Sequence, residues 1–496
     1  MALLGIDVGS SSVKLSVLDS GSGKSIASAQ YPKQEMKIIS HKPGWAEQHP
    51  EDWWKNILSG LRELSQEKHV DLTSVEAVGI TYQMHGLVCI DKDQNVLRPS
   101  IIWCDSRAVE IGNDAFKAIG AEACLSKLFN SPGNFTASKL KWVRDNEPDL
   151  YKKIYKIMLP GDYIAMRLTG KINTTITGLS EGIFWNFPEN KLAGFLLEHY
   201  GISTDMIPEI VPAFGNQGEV LANVAAELGL KAGIPVTYRA GDQPNNAFSL
   251  NVLQPGEIAA TAGTSGVVYG VSDKYAYDSE SRVNSFAHVN HMQPDVRIGV
   301  LLCVNGTGIL NSWVHKNVAG ARISYDEMNK EAEQIAVGSD GLAIIPFGNG
   351  AERVIGNRNP GCQVNNLNFN IHSASHMFRA AQEGIVFSFK YGIDIMAKHT
   401  GVRVSRIRAG HANMFLSPVF RNTLAGITGV PIDLYNTDGS EGAARGAGVG
   451  SGIYKSFDEA FANLEKLSTV EPDTKMLDQY NEAYRNWYIA LDKMLN

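Results

Sequence analysis

Leu3-Leu4-Gly5-Ile6-Asp7-Val8-Gly9-Ser10-Ser11-Ser12-Val13-Lys14-Leu15 reads as a strand, a glycine-and-serine turn and a second strand. The pattern returns at Ile258-Ala259-Ala260-Thr261-Ala262-Gly263-Thr264-Ser265-Gly266-Val267-Val268-Tyr269. Each stretch reads as a β-hairpin with a polar tip. Glycine turns the backbone tightly and removes the Cβ that blocks close approach, while successive N–H groups and hydroxyls cradle an anion. Taken singly, each is an ordinary hairpin turn. Taken as a pair, they suit one polyphosphate held by two related halves of the chain. Only the first copy carries an acid, Asp7, and a carboxylate beside phosphates holds a divalent cation directly or through water.

Working outward, the 496 residues exceed one ordinary core, since single cores rarely grow past about 250 to 300 residues. Hydrophobic residues at 44% and charged residues at 20% fit a globular chain with large cores. A net charge of −7 and the lack of a lysine-arginine run argue against nucleic-acid and membrane-surface partners. Cys89, Cys104, Cys124, Cys303 and Cys362 are odd in number and lack Cys-x-x-Cys spacing, so neither zinc nor a disulfide framework is indicated. No signal sequence or membrane span is read, and a cytoplasmic location is expected.

Strands and helices alternate along the chain, which places it in the α/β class. Ile26–Tyr31 is a third strand candidate. Pro50 opens a helix with Trp54, Ile57, Leu58 and Leu61 on one face and Glu51 and Asp52 in its first turn. Val75–Thr81 reads as a buried strand running into Gln83-Met84-His85-Gly86. Near residue 240 a strand delivers Asp242 onto a Gly/Pro/Asn-rich turn, and the domain junction is expected there, giving domains 1–246 and 247–496. Further on come a long helix, His376–Lys398, a strand, Arg403–Ala409, and a glycine- and alanine-rich stretch, Gly439–Gly452, suited to close helix packing. Gly21-Ser22-Gly23-Lys24-Ser25 joins two strands and lacks the first P-loop glycine. The glycines at 446, 448, 450 and 452 miss the dinucleotide spacing, and the pairs His288/His291 and His372/His376 lack the partners of a zinc site.

Asp7-Val8-Gly9-Ser10-Ser11-Ser12-Val13-Lys14, Gly44-Trp45-Ala46-Glu47-Gln48, Gln83-Met84-His85-Gly86, Trp103-Cys104-Asp105-Ser106-Arg107, Gly241-Asp242 and Ala262-Gly263-Thr264-Ser265-Gly266 occur in the order found in FGGY carbohydrate kinases. The chain resembles that family from about residue 3 to residue 455, most of all its ketopentose-phosphorylating members. The resemblance implies two ribonuclease H-like domains of the actin-like, hexokinase-like ATPase class with a central cleft. It implies ATP and Mg²⁺ as cofactors, a sugar as the other partner and a possible homodimer. The implied reaction is phosphorylation of D-xylulose to D-xylulose 5-phosphate. L-ribulose, L-fuculose, gluconate or a polyol are alternative substrates, and a non-catalytic nucleotide-binding sensor is an alternative of another class.

Residue by residue, the resemblance makes Asp242 the catalytic base and Asp7 the Mg²⁺ ligand. Gln83, Met84, His85, Trp103, Asp242 and Gln243 would contact sugar. Gly9, Ser10, Ser11, Ser12, Gly263, Thr264 and Ser265 would contact phosphates, with Gly308, Gly410 and Asn413 around the nucleoside. Gln243 stands where relatives usually carry asparagine, and Ala409-Gly410-His411 replaces their run of glycines.

Overall fold

The computed structural model describes residues 1–320 and 323–496. The chain is organised as two compact units. The first comprises Met1–Asn251, Phe286–Arg297 and Thr437–Leu464, and the second Val252–Ser285, Ile298–Asn436 and Glu465–Asn496.

In the first unit, β1 (Ala2–Val8), β2 (Val13–Asp19), β3 (Ser25–Tyr31), β4 (Val75–Tyr82) and β5 (Val236–Gly241) form one sheet in the order β5-β4-β1-β2-β3. The first three strands are an antiparallel meander, while β4 and β5 add in parallel on the other side of β1. The apolar runs of β1 and β4 are buried on both faces, as central strands of a covered sheet must be. Helix α1 (Pro50–Arg62) buries Trp53, Trp54, Ile57 and Leu61 in the core on its apolar face. Three further helices carry groups discussed below: α2 (Thr136–Asn146), α3 (Ile176–Glu181) and α4 (Asp242–Ser249).

The second unit repeats the plan. Its strands β6 (Glu257–Ala262), β7 (Gly266–Ser272), β8 (Ile298–Val304), β9 (Arg406–Gly410) and β10 (Ile432–Tyr435) take the order β8-β7-β6-β9-β10, with β11 (Lys466–Val470) beyond β10. Again three strands form a meander and two add in parallel. The duplication read from two hairpins therefore extends to five strands in each unit. Helix α5 (Gly308–Asn317) starts beside the tip of the β6–β7 hairpin. Helix α6 (Ala374–Thr400), long and largely buried, stops at Gly401, whose φ of 72° is one that glycine adopts freely.

The chain then re-enters the first unit as α7 (Gly439–Gly450). Gly5 and Gly79 are opposed partners on β1 and β4, and they leave a saddle for this helix. A Cβ on Gly5 would lie 1.8 Å from the Ser440 carbonyl oxygen, and one on Gly79 would lie 1.9 Å from that of Ala443. Helix backbone thus rests directly on sheet backbone. Glycine within a helix costs about 1 kcal/mol relative to alanine, so this composition is explained by the approach it permits and not by helix propensity. The Thr237 hydroxyl donates to the Ala447 carbonyl at 2.8 Å, and Ser16 and Ser440 share a 2.8 Å hydroxyl bond.

Gly79→Ala is expected to lower stability by about 3 kcal/mol because the helix must move. Gly194→Ala, where an added Cβ meets nothing within 4 Å, is expected to change it by less than about 0.5 kcal/mol. Urea unfolding of both variants checks this; equal midpoints would contradict the saddle.

Candidate active site

Strand β5 ends at Gly241, and Asp242 is the first residue of α4, the place where a helix dipole favours a carboxylate. Burial nevertheless pushes Asp242 up to about 6, against hydrogen bonds from Gln243. Asp7, on β1, is pushed up to about 7 by burial and then by Asp242 and Asp438, with Lys14 opposing. Asp438 caps α7 by accepting from the Glu441 N–H at 3.0 Å. Burial works against its charge, but the Lys14 ammonium at 2.6 Å holds its carboxyl below the usual range. Gly439 sits against Asp7, and a Cβ there would be 2.6 Å from the carboxylate oxygen.

Three carboxylates therefore influence one another with one lysine among them. The donor set fits Mg²⁺ at Asp7: the oxygens are hard, the charge is incompletely neutralised, and Mg²⁺ usually takes one or two carboxylates plus water and phosphate, not a protein cage.

The β1–β2 tip closes through the Gly9 N–H to the Ser12 carbonyl at 3.0 Å. Ser10 is held from two sides, since the Gln48 amide donates to its carbonyl at 2.6 Å and the exposed Trp103 indole donates to its hydroxyl at 3.2 Å. Ser11 is exposed, and Ser12 accepts from Gln30 at 3.0 Å. Gln83 is buried and donates to Gln48 at 3.1 Å, so its connection to the tip passes through that side chain. Met84 is buried against Gly241. His85 has a φ of 62°, its Nδ1 lies 2.9 Å from the Glu181 carbonyl, and its ring meets Phe135 and Phe286. Asp105 is wholly buried, paired with Arg107 and accepting from the Ala46 N–H at 2.5 Å.

In the second unit the Gly308 N–H donates to the Gly263 carbonyl at 2.9 Å, and Ile309 N–H to that of Thr264 at 3.1 Å. The hairpin tip is thereby seated on the start of α5. A Cβ on Gly308 would come within 2.2 Å of the Gly263 oxygen, so glycine is required. Beside this junction is a cavity of 460 Å³ whose lining includes Gly263, Thr264, Gly308 and Asn413. Ser265, next in sequence to the lining Thr264, and Gly410, three residues before Asn413, do not line it, and His411 is exposed. A larger cavity of 580 Å³ in the first unit contains none of these residues. Its arginines, Arg98 and Arg167, are already paired with glutamates.

Sequence reading missed three residues of this arrangement. Gln48 and Asp438 lay inside motifs that it quoted or bordered. Glu181 carries no local pattern, and only the fold reveals it.

Comparison with known proteins identifies the chain. The N-terminal-domain model of the FGGY family of carbohydrate kinases matches residues 2–249, and the C-terminal-domain model matches residues 258–449. The chain belongs to the FGGY family of carbohydrate kinases. As a sugar kinase, it is 28% identical to a xylulose kinase of Bacillus subtilis, over 98% of this chain and 96% of that one. It is 27% identical to a xylulose kinase of Escherichia coli, over 98% and 99%. In fold, this kinase matches a xylulose kinase from Rhodospirillum rubrum (TM-score 0.88, 24% identity, 100% of each chain). It also matches an ADP-bound glycerol kinase from Plasmodium falciparum (TM-score 0.89, 20% identity, 100% and 98%). The fold is the two-domain α/β fold of the actin-like ATPases. Among the described residues no helix is long and apolar enough to cross a membrane.

Glu181 is buried beneath Gly241, where a Cβ would lie 2.3 Å from its carboxyl oxygen. Burial first, then Asp242 and Asp162, push it well above the ordinary glutamate range. A carboxyl raised by folding stabilises fully below its unfolded pKa, and that contribution is lost as pH rises through the folded value. Glu181→Gln is therefore expected to flatten the fall in melting temperature as pH rises above the ordinary glutamate range. Thermal unfolding over that rise in pH checks this; parallel curves for variant and wild type would contradict it.

Proposed function

We propose that this kinase phosphorylates D-xylulose with ATP to give D-xylulose 5-phosphate, with Asp242 as general base. The observation that carries the mechanism is the position of Asp242. It begins a helix directly after a buried strand, stays partly exposed, and is tuned to about 6, within range of a base working near neutral pH. The sugar assignment is supported by end-to-end similarity to curated xylulose kinases.

In this reading Asp242 takes the proton of the C5 hydroxyl as that oxygen attacks the terminal phosphorus. The bond from that phosphorus to the bridging oxygen breaks, and ADP leaves. Gly9 to Ser12 and Gly263 to Ser265 hold the phosphates through N–H groups and hydroxyls. Gly308, Gly410 and Asn413 border the nucleoside. Asp7 would hold Mg²⁺, which supplies neutralising charge to the phosphates when bound. Met84, His85, Trp103 and Gln243 shape the sugar site, with Gln83 behind them. Residues 1–246 would carry the sugar and the first phosphate loop, and residues 247–496 the second loop and the nucleoside pocket.

Asp242→Asn keeps size and removes the base, so kcat with D-xylulose and Mg-ATP is expected to fall about 10³-fold with a smaller change in KM. In the wild type, log kcat/KM should fall with unit slope as pH drops below about 6, because only the ionised carboxylate accepts the proton. Retained turnover in the variant, or a flat wild-type profile through that pH, would contradict this assignment.

A further inference from the structure

We propose that Lys139 is a positioning residue that fixes two sugar-facing loops to each other by donating from its Nζ to the carbonyls of His85 and Ile102. The inference rests on the reading of Met84, His85 and Trp103 as sugar contacts.

Lys139 lies in the first turn of α2 and is fully buried, a rare placement for an ammonium group. Among the described residues no carboxylate forms an ion pair with it. Its hydrogen bonds go to the His85 carbonyl at 2.8 Å and the Ile102 carbonyl at 2.9 Å. Asp105, the nearest source of opposite charge, is already taken by Arg107 and the Ala46 N–H. Burial pushes the amine down to about 7, with Asp105 and Cys104 opposing and Arg107 reinforcing the shift. Two hydrogens suffice for the two carbonyls, so both bonds persist whether the amine is charged or neutral.

The two acceptors are the informative part. His85 holds a left-handed backbone conformation, which a non-glycine residue keeps only when its surroundings enforce it. Ile102 immediately precedes Trp103. Backbone bonds, among them Leu87 N–H to the Ile101 carbonyl at 3.0 Å, join the loops at their bases, and Lys139 joins them nearer the side chains read as sugar contacts. An apolar side chain would fill the same core position without fixing either carbonyl. A structural filler therefore does not account for a buried amine here, whereas a cross-loop tie does.

The test compares wild type, Lys139→Met and Lys139→Gln by hydrogen exchange over residues 82–87 and 101–106, and by kinetics with D-xylulose and ATP. Lys139→Met is expected to speed exchange in both segments and to raise the sugar KM about tenfold, with kcat and the ATP KM changed less than about threefold. Lys139→Gln, shorter but still a donor, should recover part of the sugar KM and remains informative if the methionine variant does not fold. Unchanged exchange in either segment, or an equal loss in kcat and both KM values, overturns the tie. A wild type that does not phosphorylate D-xylulose overturns the sugar assignment instead, and exchange then decides the tie alone.

Discussion

The carbonyl oxygens of Ser440 and Ala443 lie where side chains on Gly5 and Gly79 would otherwise be, and the acidic site depends on that contact. Because α7 rests on the backbone of two adjacent strands, its first turn arrives beside the end of β1. Asp438 then meets Lys14, and Gly439 abuts Asp7. The Gly439 carbonyl accepts from Asn245 of α4 at 2.8 Å, which ties the helix that begins with Asp242 to the same place. A side chain at either strand glycine would lift α7 and move Asp438 and Gly439 away from Asp7.

Much of this was legible in the chain. Both hairpins were visible because alternating apolar residues and a glycine-bearing polar tip are local signals, and Asp242 because a buried strand ran straight into it. The glycine-rich 439–452 stretch was read as suited to close packing, and α7 packs so. The partner of that packing was not readable. Gly5 and Gly79 look like any strand glycines, and the Lys14–Asp438 pair spans 424 residues of sequence. Glu181 and Lys139 are single polar residues within otherwise ordinary helical stretches. Nothing in their neighbours announces burial, which only the tertiary fold decides. The bond from Gln83 to Gln48, and through it to the β1–β2 tip, was not conveyed by the motif alone.

The electrostatics of the first unit favour function over stability. Asp7, Asp242 and Glu181 all titrate above their ordinary values, burial being the first cause each time. Burial that raises a carboxyl works against its charged form, and three perturbed carboxyls in one unit mark a candidate functional site. The second unit, by contrast, seats its hairpin tip on the start of α5 through backbone hydrogen bonds and a close glycine approach, beside a cavity in which Asp326 is the acidic lining residue.

Sugar-dependent ADP release with Mg-ATP, measured across ketopentoses, other sugars and polyols, tests the central claim most directly. The account predicts fast release with D-xylulose and little with the others. Fast release with a different sugar would contradict the substrate, and no sugar-dependent release with any of them would contradict the kinase mechanism built on Asp242.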